Sequence, residues 1–233
     1  MSAASPPAGR LAPRLVVPLV IAFFLVIAAT ISWSGRPSEP TSGGHLVFSD
    51  DFSGPAIGDD YFASPEADLG WEAGTWTIVD GRLRAEKIHN AALWLKKPLP
   101  EKVRIEFDAR AESPEGDVKC EVFGDGRTHQ SGYILIFGGW KNTINAIARQ
   151  DEHGEDRKED TRCAARKGRR LCVEPEVDYH WTIERTDGEL RWYLDGNLFL
   201  TYDDRQPVRG RHFAFNDWEA PVTFDNLRIY DLG

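Results

Sequence analysis

The chain has 233 residues, of which 41% are hydrophobic and 11% aromatic, and its formal net charge is −9 at pH 7. This composition is typical of a folded domain and excludes a disordered chain, which has few aromatic residues. Only three basic residues and Glu39 precede His45, so residues 45–233 carry a net charge of −11. Contacts of Lys and Arg with phosphate dominate the affinity of proteins for nucleic acid, so this acidic domain excludes nucleic acid as a partner.

The first predicted element is an uncharged apolar segment of 19 residues, Leu15 to Trp33. As a helix it would be about 28 Å long, close to the hydrocarbon thickness of a bilayer. We therefore predict a transmembrane signal anchor over residues 15–33, with a cleaved signal peptide or a buried helix as the alternatives. Arg10 and Arg14 precede the segment and Arg36 follows it. This bias predicts a cytoplasmic N-terminal tail, residues 1–14, and an exported domain that is periplasmic or extracellular.

The segment after the anchor, residues 34–44, reads SGRPSEPTSGG and predicts a flexible linker to a domain over residues 45–233. Cys163 and Cys172 bracket eight residues, and a disulfide between them fits an oxidising compartment. Cys120 lies between two valines in the same alternating register, which predicts a buried free thiol.

The domain is predicted to be all-β. Short runs rich in Val, Ile, Phe, Trp and Tyr are separated by Gly, Pro and Asp, and Asp187-Gly188 and Asp195-Gly196 mark two hairpin turns. About ten to twelve short strands without an amphipathic helix predict a two-sheet antiparallel sandwich. Residues 146–150 are compatible with a helical turn, and residues 151–175 form a polar insertion without a strand pattern, which is either functional or mobile.

The order of several segments carries a resemblance to a known superfamily. The segments are FSDDFSG, GTWTIVDGRL, RIEFDARA, WTIERTDGELRWYLDG and VTFDNLRIYDL. Over residues 45–232 the chain resembles the concanavalin A-like lectin/glucanase superfamily, and within it the laminin-G-like, 3-keto-disaccharide hydrolase-like and family 16 glycoside hydrolase-like domains. The resemblance implies a jelly-roll sandwich. It implies no single activity, because the superfamily contains both hydrolases and sugar-binding modules.

One candidate acid pair lies on a predicted strand. Glu106, Asp108, Arg110 and Glu112 share one face because successive side chains of a strand alternate. Family 16 glucanases carry a Glu-x-Asp-x-Glu pattern that this strand resembles, but the second interval is longer here and spans about 13 Å. That exceeds the separation of about 5–5.5 Å used in retaining hydrolysis, whereas Glu106 and Asp108, about 6.5–7 Å apart, approach the inverting range. The alternative is a solvated strand face.

Two polar and aromatic segments predict a sugar-binding site. Sugar recognition combines an apolar ring face stacked on Trp with donors and acceptors for the hydroxyl groups. The candidates are Trp140, Asn142, Asn145, Arg149, Asp151 and His153 in the first segment and Asn216, Trp218 and Glu219 in the second. Asp151 and Glu152 form a second candidate acid pair. The alternative places both Trp side chains in the core and makes the polar residues loop caps.

Metal ligands are few. The histidines show no HxH or HExxH spacing, which argues against catalytic zinc. Asp50 or Asp51, together with Asp225, resembles the positions at which calcium sits in many sandwiches of this superfamily, so the resemblance implies a structural Ca²⁺ at Asp51 and Asp225. Aspartates that cap turns are the alternative.

These features predict a membrane-tethered, exported sandwich domain that binds a glycan. The alternatives are a hydrolase of a glycoside or modified sugar and a structural or protein-interaction module of the cell envelope. No cofactor is required by any of the three. The disulfide would also gather four basic residues that could contact an anionic surface, unless nearby acids balance them in a solvated loop. These four are Arg166, Lys167, Arg169 and Arg170.

Overall fold

The computed structural model describes residues 1, 39–67, 70–166, 169–186 and 188–233. Residues 39–233 form one compact unit. The predicted transmembrane segment therefore lies outside the described residues, as do Lys167 of the basic loop and Asp187 of the first predicted hairpin turn. In the part of the chain that is described, no helix has the length and apolarity needed to span a bilayer.

The compact unit is a two-sheet antiparallel sandwich, which confirms the predicted fold class. The eight-stranded sheet contains, in spatial order, β15 (Asn197–Asp203), β14 (Glu189–Leu194), β13 (Tyr179–Thr186), β6 (Val103–Ala111), β17 (Val222–Asp231), β4 (Arg82–Glu86) and β3 (Thr75–Val79), and β1 (His45–Asp50) also pairs with β17. The seven-stranded sheet contains β10 (Arg157–Asp160), β9 (Ile144–Arg149), β8 (Tyr133–Gly138), β7 (Val118–Gly124), β16 (His212–Asn216), β5 (Leu93–Leu95) and β2 (Tyr61–Ala63). A separate hairpin pairs β11 (Ala164–Arg166) with β12 (Arg169–Leu171).

Phe107 joins the inner faces of the two sheets. It lies on β6, where alternate side chains point inward, and it is fully buried. Its ring stacks on Trp181 of the neighbouring strand with centroids 5.1 Å apart. It also meets Phe215 of the opposite sheet edge-on at 5.3 Å. Aromatic pairs of this geometry are favourable beyond the area that they bury.

The outer face of the seven-stranded sheet is also largely buried. Ile134 and Ile136 of β8 point away from the main core and form a second apolar cluster with Ala148. All seven residues of β7 are buried. Loops therefore cover this face, and the space between them is sheltered from solvent.

Two segments differ from their predicted structure. Residues 146–149 of the possible helical turn belong instead to strand β9, whose small alanines fit either face of a sheet, and Gln150 follows the strand. The polar insertion, residues 151–175, contains β10 and the hairpin β11–β12. Strand β10 lacks an apolar pattern because it is the edge of its sheet, where charged side chains are favoured.

The cysteines match their predictions, whereas part of the predicted linker is fixed. Cys163 and Cys172 form a disulfide, and Cys120 is a buried free thiol. Thr41 donates its N–H to Glu184 Oε1 at 2.5 Å, and Arg104 donates to the Thr41 carbonyl oxygen at 2.5 Å. The C-terminal end of the linker is therefore held against the eight-stranded sheet.

We expect Phe107→Ala to lower the free energy of unfolding by about 3–5 kcal/mol, because it removes the ring that joins the two sheets and leaves a cavity. The measurement is chemical denaturation followed by tryptophan fluorescence. Val79→Ala is the control, since Val79 is 41% exposed and should change stability by no more than about 0.5 kcal/mol. A Phe107→Ala protein as stable as the control would contradict this account of the core.

Candidate functional site

A cleft of about 700 Å³ lies over the outer face of the seven-stranded sheet. Its floor includes Lys119 of β7 and Ile136 of β8, and the loops around the sheet form its walls. The other lining residues are Asn90, Ser113, Glu115, Asp117, Gln130, Gly139, Trp140, Lys141, Glu152, His153, Trp218, Glu219, Ala220 and Pro221. A size of about 300–1,000 Å³ is usual for pockets that hold small ligands.

The first wall is a strained turn that carries Trp140. Residues Gly139–Asn142 form one helical turn in which Trp140, Lys141 and Asn142 have φ values of 51°, 61° and 63°. Each residue in this left-handed region costs about 1–2 kcal/mol. Gly138 precedes the turn at φ 73°, where an added Cβ would lie 2.6 Å from Asn142 Oδ1.

Contacts on both sides hold the Trp140 ring. The Arg157 guanidinium lies 4.8 Å from the centre of the ring, and His153 meets the ring edge-on at 5.7 Å. The indole is only partly buried. It therefore presents an apolar surface in a fixed orientation at the cleft.

The second wall carries Trp218. An isolated bridge pairs Trp218 with His89, and the two rings meet edge-on at 5.4 Å. Trp71 packs against the same indole at 5.8 Å. The next residue, Glu219, donates its N–H to the Ile88 carbonyl oxygen at 2.7 Å. The β16–β17 loop is thus attached to the β4–β5 loop.

The floor of the cleft carries alternating ionisable residues. Asp117, just before β7, and Lys119 and Glu121 within it all project to the outer face, because strand side chains alternate. Asn216 of β16 lies opposite Lys119 in the antiparallel register. The pattern Asp-x-Lys-x-Glu thus brings two carboxyl groups and an ammonium group to one surface.

Lys119 is the centre of this cluster. Its side chain is buried, and Nζ donates to Asn90 Oδ1 at 2.9 Å and to Glu152 Oε2 at 3.1 Å. Asp117 Oδ1 lies 3.5 Å from the same nitrogen. Burial alone lowers the pKa of Lys119, but the charges of Asp117 and Glu152 outweigh burial and raise this pKa above its ordinary value. Lys119 is therefore protonated.

Glu121 is fully buried and accepts three hydrogen bonds. Its oxygens contact His129 Nδ1 at 2.6 Å, the Gln130 N–H at 3.0 Å and Asn216 Nδ2 at 2.9 Å. Burial on its own lowers the pKa of His129, whereas the Glu121 contact raises it, and the net pKa lies above 6.5. At a pH below its raised pKa, His129 forms a buried ion pair with Glu121 beside the cleft.

The pKa values of the carboxyl groups in the cluster are shifted in different directions. Burial raises the pKa of Asp117, and it raises the pKa of the fully buried Asp217 further, with Asp117 adding to the effect. Burial also favours the neutral form of Glu152, but its neighbours Lys119 and His129 outweigh burial and lower the pKa of Glu152. Asp117 and Glu152 therefore have pKa values shifted in opposite directions at one cleft.

Five of the sequence-predicted residues line this cleft. They are Trp140, Glu152, His153, Trp218 and Glu219. Asn216 lies beneath the floor, where it donates to Glu121. Asn145 is also buried and accepts from the Gly138 N–H at 3.0 Å. The structure thus brings the two predicted segments, which are far apart in sequence, to one site.

Three other candidates for ligand contact have structural partners instead. Asn142 is fully buried, and its side chain donates to the Pro114 and Val173 carbonyl oxygens and accepts from the Cys172 and Val173 N–H groups. Arg149 pairs with Asp204 at 2.8 Å, away from the cleft. Asp151 Oδ1 accepts the His153 N–H at 2.9 Å and so caps its turn.

Glu106 and Asp108 lie on the outer face of the other sheet. Glu106 accepts from Arg104 Nε at 2.7 Å. Asp108 contacts His180 Nδ1 at 2.7 Å and accepts from Asn226 Nδ2 at 2.9 Å. The core separates this pair from the cleft, so the structure adds no support to their predicted catalytic role.

The geometry adds no support to the predicted calcium site either. Asp51 Oδ1 accepts the Ser53 N–H at 3.1 Å, and Asp225 Oδ2 lies 3.6 Å from Arg82 Nη1. A guanidinium beside a ligand carboxylate opposes binding of a divalent cation. Among the described residues, no three His, Cys, Asp or Glu side chains are grouped as metal ligands. Calcium at these positions stays a prediction.

Several residues of the site were missed from the sequence, namely Asn90, Asp117, Lys119, Glu121 and His129. The one local signal is the Asp-x-Lys-x-Glu alternation before and within β7. The neighbouring cysteine and valine residues predict a buried strand, and an ionisable group on such a strand is a functional candidate. No local pattern places Asn90 or His129 beside that strand.

Of the predicted basic loop, three residues belong to the hairpin β11–β12, namely Arg166, Arg169 and Arg170. Their side chains lie outside the described part of the structure.

Comparison with known proteins gives a clear fold and a partial family match. A family model described as farnesoic acid 0-methyl transferase matches residues 123–228, less than half of the chain. This range excludes Asn90, Asp117 and Lys119 of the cleft. No curated protein matches the chain in sequence.

Solved structures of similar fold include three whose names refer to carbohydrates. Carbohydrate binding module CBM66 from Bacillus subtilis is 14% identical with a TM-score of 0.53, over 74% of this chain and 96% of that one. A laminarinase from Flavobacterium sp. UMI-01 is 14% identical with a TM-score of 0.58, over 80% and 100%. SCLam, an endo-β-1,3(4)-glucanase, is 14% identical with a TM-score of 0.61, over 84% and 98%. These likenesses confirm the concanavalin A-like jelly-roll fold.

We expect His129 to titrate above pH 6.5 in the folded protein, because its imidazolium pairs with buried Glu121. The stability from this pair is complete below about pH 6.5, the ordinary His value, and is lost as the pH rises through the raised folded pKa. The measurement is the NMR titration of the His129 ring. In Glu121→Gln the burial remains and the charge of Glu121 is gone, so the midpoint of the His129 titration should move to lower pH, while Glu152 still opposes the effect of burial. An unchanged midpoint in this variant would contradict the assignment.

Proposed function

We propose that this protein is a carbohydrate-binding sandwich domain that holds a glycan in the cleft between Trp140 and Trp218. The observation that carries the proposal is the meeting of both indoles and a hydrogen-bonding floor in one cleft of about 700 Å³. An apolar sugar face packs on an indole. Asn90, Lys119 and Glu152 supply the donors and acceptors that hydroxyl groups require.

The fold and the charge of the cleft support this assignment. The similar structures, which share the sandwich fold, are named as a carbohydrate binding module, a laminarinase and a glucanase. Four carboxyl groups and two lysines line the cleft, together with His153. This excess of acids favours neutral or amino sugars over uronic acids, because like charges repel.

Export and tethering belong to the same proposal. The disulfide Cys163–Cys172 is supported by the structure, and structural disulfides are typical of oxidising compartments. The apolar segment of residues 15–33 would tether the domain to a membrane and place it outside the cytoplasm.

Trp140→Ala and Trp218→Ala should each weaken glycan binding by about tenfold, because each removes one stacking surface and leaves the fold intact. The measurement is a glycan array followed by calorimetry on the strongest ligand. Tyr230→Ala is the matched control, since its ring lies under Arg104 on the other sheet and should leave affinity unchanged. Equal affinity in all four proteins would remove the cleft from consideration as the site.

A second candidate function is glycoside hydrolysis, favoured by the opposite pKa shifts of Asp117 and Glu152. A carboxyl group with a raised pKa beside one with a lowered pKa is the arrangement that general acid–base chemistry uses. Both groups contact the same Lys119 nitrogen, at 3.5 Å and 3.1 Å. Because both oxygens lie this close to one nitrogen atom, the distance between them is shorter than the upper limit of about 9.5 Å seen between the two carboxyl groups of glycosidases.

The release of a hydrolysis product distinguishes a hydrolase from a protein that only binds the glycan. If the protein is a hydrolase, Asp117→Asn and Glu152→Gln should each reduce turnover by at least about a hundredfold. The measurement is reducing-sugar release from the ligands found on the array. Release that persists in both variants would exclude this pair, and binding without release by the unaltered protein would leave the binding function alone.

A further inference from the structure

A second cavity, of about 950 Å³, lies at the other end of β7. Asp117 begins the floor of the glycan cleft, whereas Phe123, near the end of the same strand, lines this cavity. The walls come from the segment before β6, the β13–β14 turn and the β15–β16 loop. We call it the basic cavity because of the side chains described next.

Six cationic side chains and one carboxyl group line the basic cavity. The cations are Lys102, Arg149, Arg185, Arg205, Arg209 and Arg211, and the carboxyl group is Glu101. Just outside the lining, Asp204 pairs with Arg149 and neutralises one of them. The excess of positive charge is unusual because the whole chain has a net charge of −9. A concave surface of one sign concentrates the field that attracts ions of the other sign.

Arg185 is partly buried and has no carboxylate partner among the described residues. Its guanidinium carbon lies 3.9 Å from the centre of the Phe123 ring. Burial lowers the pKa of Arg185 from its ordinary value, and Tyr133, Asp204 and Glu101 oppose this effect only in part. An anion at this position would stabilise a guanidinium that has lost much of its hydration.

The arginines divide into fixed and available groups. Arg211 donates through Nε and Nη2 to the Leu99 carbonyl oxygen at 3.0 and 2.8 Å, and Arg149 donates to the Gln206 carbonyl oxygen at 2.9 Å. These bonds attach the β15–β16 loop to the sandwich. Arg205 and Arg209 lie on that loop, are exposed, and have no ion-pair partner within the described ranges. Their guanidinium groups are free to close on a ligand.

We propose that the basic cavity binds a ligand with closely spaced oxyanion groups, with Arg185 at its base and Arg205 and Arg209 at its rim. Guanidinium groups bind sulfate, phosphate and carboxylate through paired N–H donors, which matches this chemistry. The groups can belong to a sulfated or carboxylated sugar or to a polyphosphate. The site is separate from the glycan cleft, whose lining is acidic.

The test is calorimetric titration of the full chain at low ionic strength with two probes, a heparin tetrasaccharide and inorganic tripolyphosphate. We expect at least one probe to bind, and added salt to weaken that binding because it screens the charges. The double variant R205Q/R209Q should lose about tenfold or more in affinity. Tighter binding of the tetrasaccharide would indicate a sulfated or carboxylated sugar as the ligand, and tighter binding of tripolyphosphate would indicate a polyphosphate.

A charge-matched control separates a built site from general attraction. K158Q/R228Q removes two exposed cations that do not line the basic cavity and should bind the probe as the unaltered protein does. The Arg185 Nε–H resonance should also shift during titration. Absence of binding by both probes would overturn the proposal, and so would equal losses in the two double variants. Trp140→Ala should retain probe binding, so failure of the glycan proposal would not affect this result.

Discussion

Strand β7 has no side that faces open solvent, and this constraint organises the rest of the molecule. Val118, Cys120 and Val122 enter the main core, while Lys119 and Glu121 point to the other face and are equally buried. A charge without partners at such a position costs several kcal/mol, so the chain must surround it with hydrogen-bonding groups. Three partners come from separate loops, namely Asn90 before β5, His129 before β8 and Glu152 after β9, and a fourth is Asn216 at the end of strand β16. The cleft exists because these loops converge on one strand.

A buried polar cluster of this kind is weak evidence for a gain in stability. Apolar residues of similar volume usually stabilise a fold as much as a buried ion pair does, or more. Among the described residues, His129 Nε2, Asp117 Oδ1 and both carboxyl oxygens of Asp217 also lack hydrogen-bond partners. The left-handed turn at Trp140 adds backbone strain at the same cleft. Strain and uncompensated buried groups accumulate where a protein binds or reacts with a ligand.

The two ends of β7 have opposite electrostatic character. Acidic residues predominate in the cleft between Trp140 and Trp218, and arginines predominate in the basic cavity. The net charge of −9 averages these regions and reveals neither. Binding partners respond to the local field, which at physiological ionic strength extends about one Debye length, roughly 8 Å. The net charge of −9 therefore argues against a polyanion that covers the whole surface, but it does not argue against an anion bound in one cavity.

The sequence by itself determined the sandwich, the buried thiol, the disulfide and the two aromatic segments of the cleft. Each of these depends on local periodicity or composition, as in the alternation through Trp181 and Trp192. Tertiary structure alone decided which polar residues meet. Asn142 and Trp140 look equally suited to a sugar in sequence, yet one ties three backbone segments together and the other faces the cleft. Lys119, His129 and Glu152 come from different parts of the chain, and local periodicity says nothing about contacts between distant segments. Their charges and pKa values depend on distances of a few ångströms, which only the folded chain sets.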